Sequence, residues 1–170
     1  MSKKSKKPRK SKRGIVGLVK TSFTFRIIVD YGLPFDALVG AGRYDIVNPA
    51  VKGENFQIDG QGSYETTVVL FQLNWPMSVT EMTTEMRKYG HRPAFPEEVL
   101  FLGKEYPMAQ KRLTIVALNV LFLGRTGRYA PCLSCGSGKR SLALILRKRT
   151  GHCCGNYFAA VPIGQNPCRQ

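Results

Sequence analysis

The chain has 170 residues, of which 43% are hydrophobic and 10% aromatic, enough for one globular core and too apolar for a disordered chain. Its formal net charge is +15, and eight of the positive charges fall in the first thirteen residues, MSKKSKKPRKSKR, which hold no acid. That basic start lacks the apolar region of a secretory signal, and no apolar run reaches the ~20 residues of a spanning helix, so a soluble, cytoplasmic protein is expected.

The carboxylates stop at Glu105; from residue 106 onward there are ten Lys or Arg residues and no acid. The C-terminal part therefore carries a positive field. Residues 1–14 have nothing to bury and read as a disordered basic arm, with residues 15–170 as one domain. In the arm, Lys3, Lys4, Lys6, Lys7, Arg9, Lys10, Lys12 and Arg13 are candidate nucleic-acid contacts. The simpler role for such a run is nonspecific attraction to anions.

Residues 23–29 (FTFRIIV) read as a strand. Pro34 opens a short helix, PFDALVGAG, with Phe35, Leu38 and Val39 on one side and Gly40 and Gly42 at its end. A loop rich in Asn, Pro and Gly leads to a second strand at residues 64–73. Ser78-x-x-Glu81 is a capping box, because the serine accepts from an orphan N–H while the glutamate reaches back. Met82, Met86 and Tyr89 then share a helical face, and Gly90 stops it. Pro93 interrupts, with His91 read as a polar surface residue. Pro96 starts a second helix, PEEVLFLGKEY, with Glu97 and Glu98 at its positive end and Pro107 closing it. After Gln110 the pattern is all strand: RLTIVALNVLF, RYAPCL, SLALILR and YFAAV, separated by Gly-rich turns. The expected fold class is α+β: two N-terminal strands with a short helix, a helix pair, then an antiparallel sheet.

Residues 131–146, PCLSCGSGKRSLALIL, carry three competing patterns. A phosphate loop, G-x-x-x-x-G-K-[ST], needs glycine at position 133, which is leucine, and a hydroxyl where Arg140 stands. The alternation of SLALILR also argues for a strand rather than the helix such a loop requires. Cys132 and Cys135 have the C-x2-C spacing of a zinc site, with Cys154 and either His152 or Cys168 completing the set. The second half is His152-Cys153-Cys154 rather than another C-x2-C, and neighbours on a strand face opposite ways. The five cysteines are therefore read as free thiols in a reducing compartment, no cofactor is expected, and zinc stands as the alternative. The third pattern, a hairpin, puts Leu142, Leu144 and Leu146 on one face. Catalysis finds little support: His91 and His152 are the only histidines, and no acid follows Glu105 to orient the latter. The protein is expected not to be an enzyme.

The block at residues 29–56, VDYGLPFDALVGAGRYDIVNPAVKGENF, resembles a family of uncharacterised small bacterial proteins that shows VDYS-x-x-LEEMI-x-AGKYD-x-VN there. The likeness runs on through MSVTEMTTEMRKYGHRPAFPEEVLFLGKEYPMAQKRLTIVALN to YFAAV. Residues 76–163 also resemble C-type-lectin-like domains of the formylglycine-generating-enzyme and diversity-generating-retroelement kind, through a helix pair around RPA-x-x-EE and a closing F-A-A-V strand. The usual calcium carboxylates of lectins and a GG-x-W motif are missing.

The resemblance implies a non-catalytic module that displays variable C-terminal loops for protein or ligand recognition, with Ser134, Ser137, Lys139, Arg140, Arg147, Lys148, Arg149, His152, Asn156 and Tyr157 as display positions. A retroelement-diversified variable protein is one form this takes. The competing reading is a basic nucleic-acid binder. Arg125 and Arg128 would join the same C-terminal basic residues, and Tyr129, Tyr157 and Phe158 would stack on bases.

Overall fold

The computed structural model describes residues 17–58, 60–147 and 155–165. The basic arm, together with Lys148, Arg149, His152, Cys153, Cys154 and Cys168, lies outside the described residues. In chain order the elements are β1 (Leu18–Asp30), α1 (Phe35–Ala41), β2 (Ile46–Val47), β3 (Ser63–Leu73), α2 (Val79–Lys88) and β4 (His91–Pro93). They continue with α3 (Pro96–Glu105), β5 (Ile115–Val116), β6 (Phe122–Gly124), β7 (Gly127–Gly136), β8 (Lys139–Arg147) and β9 (Tyr157–Pro162). Among the described residues no helix is long and apolar enough to cross a membrane.

The strands form one sheet in the order β1-β3-β9-β5-β7-β8-β2, with β4 also on β9 and β6 also on β7. Because side chains alternate along a strand, a sheet covered on both faces needs apolar residues at consecutive positions. In β3, Val68 and Leu70 enter one core while Val69, Phe71 and Leu73 enter the other. The first core takes Phe35 and Leu38 of α1 and Val99 to Leu102 of α3. The second takes Met77, and Met82 and Met86 of α2. The molecule is therefore α+β, with helices on both faces of the sheet.

Several local signals act as their chemistry requires. Ser78 Oγ accepts from Glu81 N at 3.2 Å while Glu81 Oε2 accepts from Ser78 N at 2.7 Å. The β7–β8 hairpin pairs Gly136 with Lys139 across Ser137 (φ 51°) and Gly138 (φ 77°). Two central residues in the left-handed region make the tight turn that matches strand twist. The GSGK run is this turn.

Three expectations are corrected. The sheet is mixed, not antiparallel: β5 runs parallel to β9, and β2 runs parallel to β8. Residues 112–122 are not one strand but two short ones, because Asn119 turns the chain away. Its N–H donates to Ala94 O at 3.4 Å and its Nδ2 to Pro93 O at 3.3 Å. His91 is not on the surface. It starts β4, is buried, packs its ring edge-on to Phe71, and holds Nδ1 2.7 Å from Tyr89 O.

Candidate functional site

The register of the strands gathers one end of the sheet. Tyr157 lies beside Ile115, Ile115 beside Leu133, and Leu133 beside Leu142. Ser134 and Ser141 lie one step further along their strands, and Asn156 directly precedes β9. Of the expected display positions, Ser134, Ser137, Lys139, Arg140, Asn156 and Tyr157 thus share this end. For Arg147 only the backbone, at the far end of β8, is described; Lys148, Arg149 and His152 lie outside the described residues.

Arg140 has a different setting from its neighbours at the turn. Its Nη1 donates to Gly42 O at 2.9 Å, and its Nη2 to Gly103 O at 2.7 Å and to Gln110 Oε1 at 3.0 Å. The guanidinium also covers the Tyr44 ring, 5.0 Å from its centroid. Its backbone N–H donates to Asp45 Oδ2 at 2.6 Å, and its carbonyl accepts from Asp45 N. Gly103 permits the approach, since a Cβ there would sit 2.5 Å from Tyr44 Oη. Arg140 therefore joins the α1–β2 loop, the end of α3 and the hairpin, while Ser137 and Lys139 stay exposed.

Beside this end lies an apolar groove of about 540 Å³ lined by Phe23, Phe25, Tyr106, Met108, Arg112 and Leu113, among others. Met108 is 60% exposed, Phe23 41% and Tyr106 36%. Large apolar groups left together in water mark binding surfaces more often than scattered ones do. Two features build the groove. The first is a bulge in β1, where Lys20 pairs with Phe71 but Thr24 pairs with Val69, leaving extra residues on β1. Thr21 Oγ1 ties the bulge to Leu70 O at 2.8 Å, and Phe23 meets Tyr157 edge-on at 5.7 Å. The second is the loop after α3, held by Ala109 N donating to Tyr106 O and Leu113 N donating to Ala109 O. Gln110 Nε2 anchors that loop to the hairpin through Ser134 O at 2.8 Å.

A second polar assembly is sealed inside. Glu98 is fully buried and holds Arg92 through Oε1–Nη2 at 2.7 Å and Oε2–Nη1 at 3.1 Å. Its Oε2 also caps α3 by accepting from Phe95 N at 2.7 Å. Tyr64 Oη donates to Glu98 Oε1 at 2.5 Å, and the Tyr31 ring stacks on Tyr64 at 5.7 Å. Burial first, and then the Glu98 charge, pushes both phenols well above their ordinary pKa. They stay neutral donors, and the carboxylate is enclosed by partners. The cluster ties the turn after β1, the start of β3, β4 and the start of α3 together.

The two cysteines of the C-x2-C pair do not converge. Cys132 packs into the second core on one face of β7, while Cys135, three residues on, falls on the other. Burial pushes the Cys132 thiol up to about 11. Among the described residues no three His, Cys, Asp or Glu side chains gather as a metal site; His152 and Cys154 lie outside them.

Neither the groove nor the sealed cluster was visible as such in the sequence. The signal for the groove was present in two pieces, the F-T-F start of a strand and an apolar Tyr-Pro-Met just past a helix stop. The chain was compared with protein-family models, curated proteins and solved structures, and none matches it.

Proposed function

We propose that the protein is a non-catalytic binding module whose recognition face is the sheet end around the loop after α3, with the groove of Phe23, Phe25, Tyr106 and Met108 at its centre. The observation that carries this reading is the groove itself: exposed apolar side chains clustered between β1 and the loop after α3, with Arg112 in the lining. Ligand sites are typically concave, mostly apolar and edged by a few polar groups. Ser137 and Lys139, exposed at the hairpin turn, border this face and can vary at little cost to stability, while Tyr157 is half-buried against Phe23. The order of helix pair, hairpin and closing F-A-A-V strand accords with a C-type-lectin-like scaffold that displays changeable residues. That part of the reading rests on resemblance alone.

The alternative, a nucleic-acid binder, gains charge from the basic arm but little from this face. Phe23 meets Tyr157 at 82° and Phe25 meets Tyr106 at 60°. Rings packed edge to face wall a socket; they do not offer parallel platforms to successive bases.

The test uses anilinonaphthalene sulfonate, an anionic apolar probe, with amide chemical shifts as readout. Shifts are expected at Phe23, Phe25, Tyr106 and residues 108–113, with affinity falling about tenfold in Met108→Glu, which places a charge in the groove. Shifts spread over the molecule, or unchanged affinity in that variant, overturn the groove as the site.

A further inference from the structure

We propose that the open edge of β1 binds an extended peptide rich in acidic and apolar residues, which adds to the sheet at Thr24 and inserts one apolar side chain into the groove. The proposal rests on the groove being the recognition site and names the class of its partner.

Among the described residues β1 is the last strand of the sheet and pairs with β3 alone. An edge strand presents unpaired N–H and C=O groups, which a protein must cover or use. Here the cover is partial. Tyr106 Oη donates to Arg26 O at 2.8 Å, and Ile28 N donates to Glu105 Oε1 at 3.4 Å. Both contacts come from the end of α3, and both meet the side of β1 that faces away from β3. Backbone direction repeats every second residue, so Thr24 points its N–H and C=O the same way as Arg26 and Ile28. Among the described residues the side-chain cover ends at Arg26. Thr24 lies beyond it, next to the bulge, flanked by Phe23 and Phe25, whose side chains line the groove. An incoming strand would find backbone partners and a side-chain socket within one residue of each other. That combination defines strand addition: main-chain bonds give affinity, and a pocket for alternate side chains gives selectivity.

Charge decides the composition of the partner. Arg112 lines the groove and Lys111 is exposed beside it. Glu105, the single acid in the lining, is engaged with Ile28 N. No carboxylate occurs in the sequence after it. A peptide with Asp or Glu flanking its apolar anchor would be drawn to this rim and a basic peptide repelled.

The experiment selects random nonapeptides displayed on phage with the full chain as bait. Enriched sequences should hold a central apolar residue flanked by acids. Two N-methylated versions of the best peptide, covering alternate amides, then test the backbone contacts. One version should lose affinity about tenfold or more and the other should bind as the parent does, because only one set of amides faces β1. Met108→Glu should weaken the parent peptide by about tenfold as well.

If both methylated versions bind like the parent while Met108→Glu still weakens binding, strand addition is wrong and the groove reading stands. If Met108→Glu has no effect, both fail. Enrichment of basic peptides, a dimer of the chain that Met108→Glu dissolves, or oligothymidylate binding lost in that variant without any selected peptide would each overturn the proposal in favour of another occupant.

Discussion

Arg140 reaches across the fold to Gly103: its Nη2 donates to the Gly103 carbonyl at 2.7 Å and pins the β7–β8 hairpin to the end of α3. The same guanidinium serves Gly42 O, Arg43 O and Gln110 Oε1. Removing it leaves several half-buried acceptors without a donor. Arg140→Met keeps the apolar stem and should cost about 3 kcal/mol in urea unfolding. Arg140→Lys should recover little, since a point charge cannot reach acceptors spread along a planar fork. Lys139→Ala, one residue away and exposed, should stay within about 0.5 kcal/mol of the parent. Equal behaviour of the two positions would show that the network contributes nothing.

Arg92 and Glu98 should be strongly coupled. Removing one member of a buried ion pair leaves an unmatched charge, so Arg92→Met and Glu98→Gln should each cost roughly 3–5 kcal/mol. The double variant should cost clearly less than the two singles combined, because the second change removes the charge that the first left stranded. Some cost should persist, since Glu98 also caps Phe95 N and accepts from Tyr64. Strict additivity in a double-mutant cycle would rule the pairing out as an energetic unit.

Alkaline pH should unfold the protein through its tyrosines. Burial raises Tyr31 and Tyr64 well above the ordinary 10.0 and pushes Tyr44 up to about 12. A phenol that holds its proton more tightly when folded contributes stability that is intact below pH 10 and lost as pH rises beyond it. The limiting slope is about 1.4 kcal/mol per pH unit for each such group. Urea unfolding should therefore be flat in this respect up to pH 10 and fall above it, with tyrosinate absorbance rising as the fold is lost. Tyr44→Phe isolates one contributor. Tyr44 Oη is buried without a hydrogen-bond partner among the described residues, so the change should be neutral or mildly stabilising at pH 7 and reduce the slope above pH 10. An unchanged alkaline slope in that variant would remove Tyr44 from the account.

What the sequence made legible was local. The Ser78–Glu81 box, the Pro96 helix start and the alternation in SLALILR depend on residues a few positions apart, and each element formed where its chemistry pointed. The hidden features join distant segments. Arg92, Glu98, Tyr31 and Tyr64 come from a short strand, a helix, a post-strand turn and a strand start, and their types alone fit ordinary surface roles. Glu98 reads as a helix-start acid, which it is, but its burial depends on the tyrosines arriving from elsewhere. The groove likewise needs a bulge in β1 to bring Phe23 and Phe25 against Tyr106 and Met108, and no pattern within one element announces a bulge. Sheet order was lost for the same reason: the consecutive apolar residues Phe158 to Val161 suit a strand covered on both faces, but nothing in them says that β3 and β5 flank it.

The thiols offer the last prediction. Cys132 is buried in the second core with its thiol pushed up to about 11, whereas Cys135 is half-buried on the opposite face of β7. A thiol of that pKa is ionised to only about one part in a thousand at pH 8, and the thiolate is the reactive form. Peptide mapping after brief alkylation of the native chain should find Cys135 modified and Cys132 intact, with Cys132 reacting only when urea unfolds the protein. Zinc tests the C-x2-C pair directly. Two ligands of one ion must point at a common centre about 2.3 Å from each sulfur. Side chains on opposite faces of a strand cannot do that without unpairing β7 from β8. Added zinc should therefore leave Cys135 alkylation unchanged, and a chelator should leave the melting curve of the untreated protein in place. Joint protection of Cys132 and Cys135 by zinc, reversed by the chelator, would mean that β7 rearranges to form a metal site.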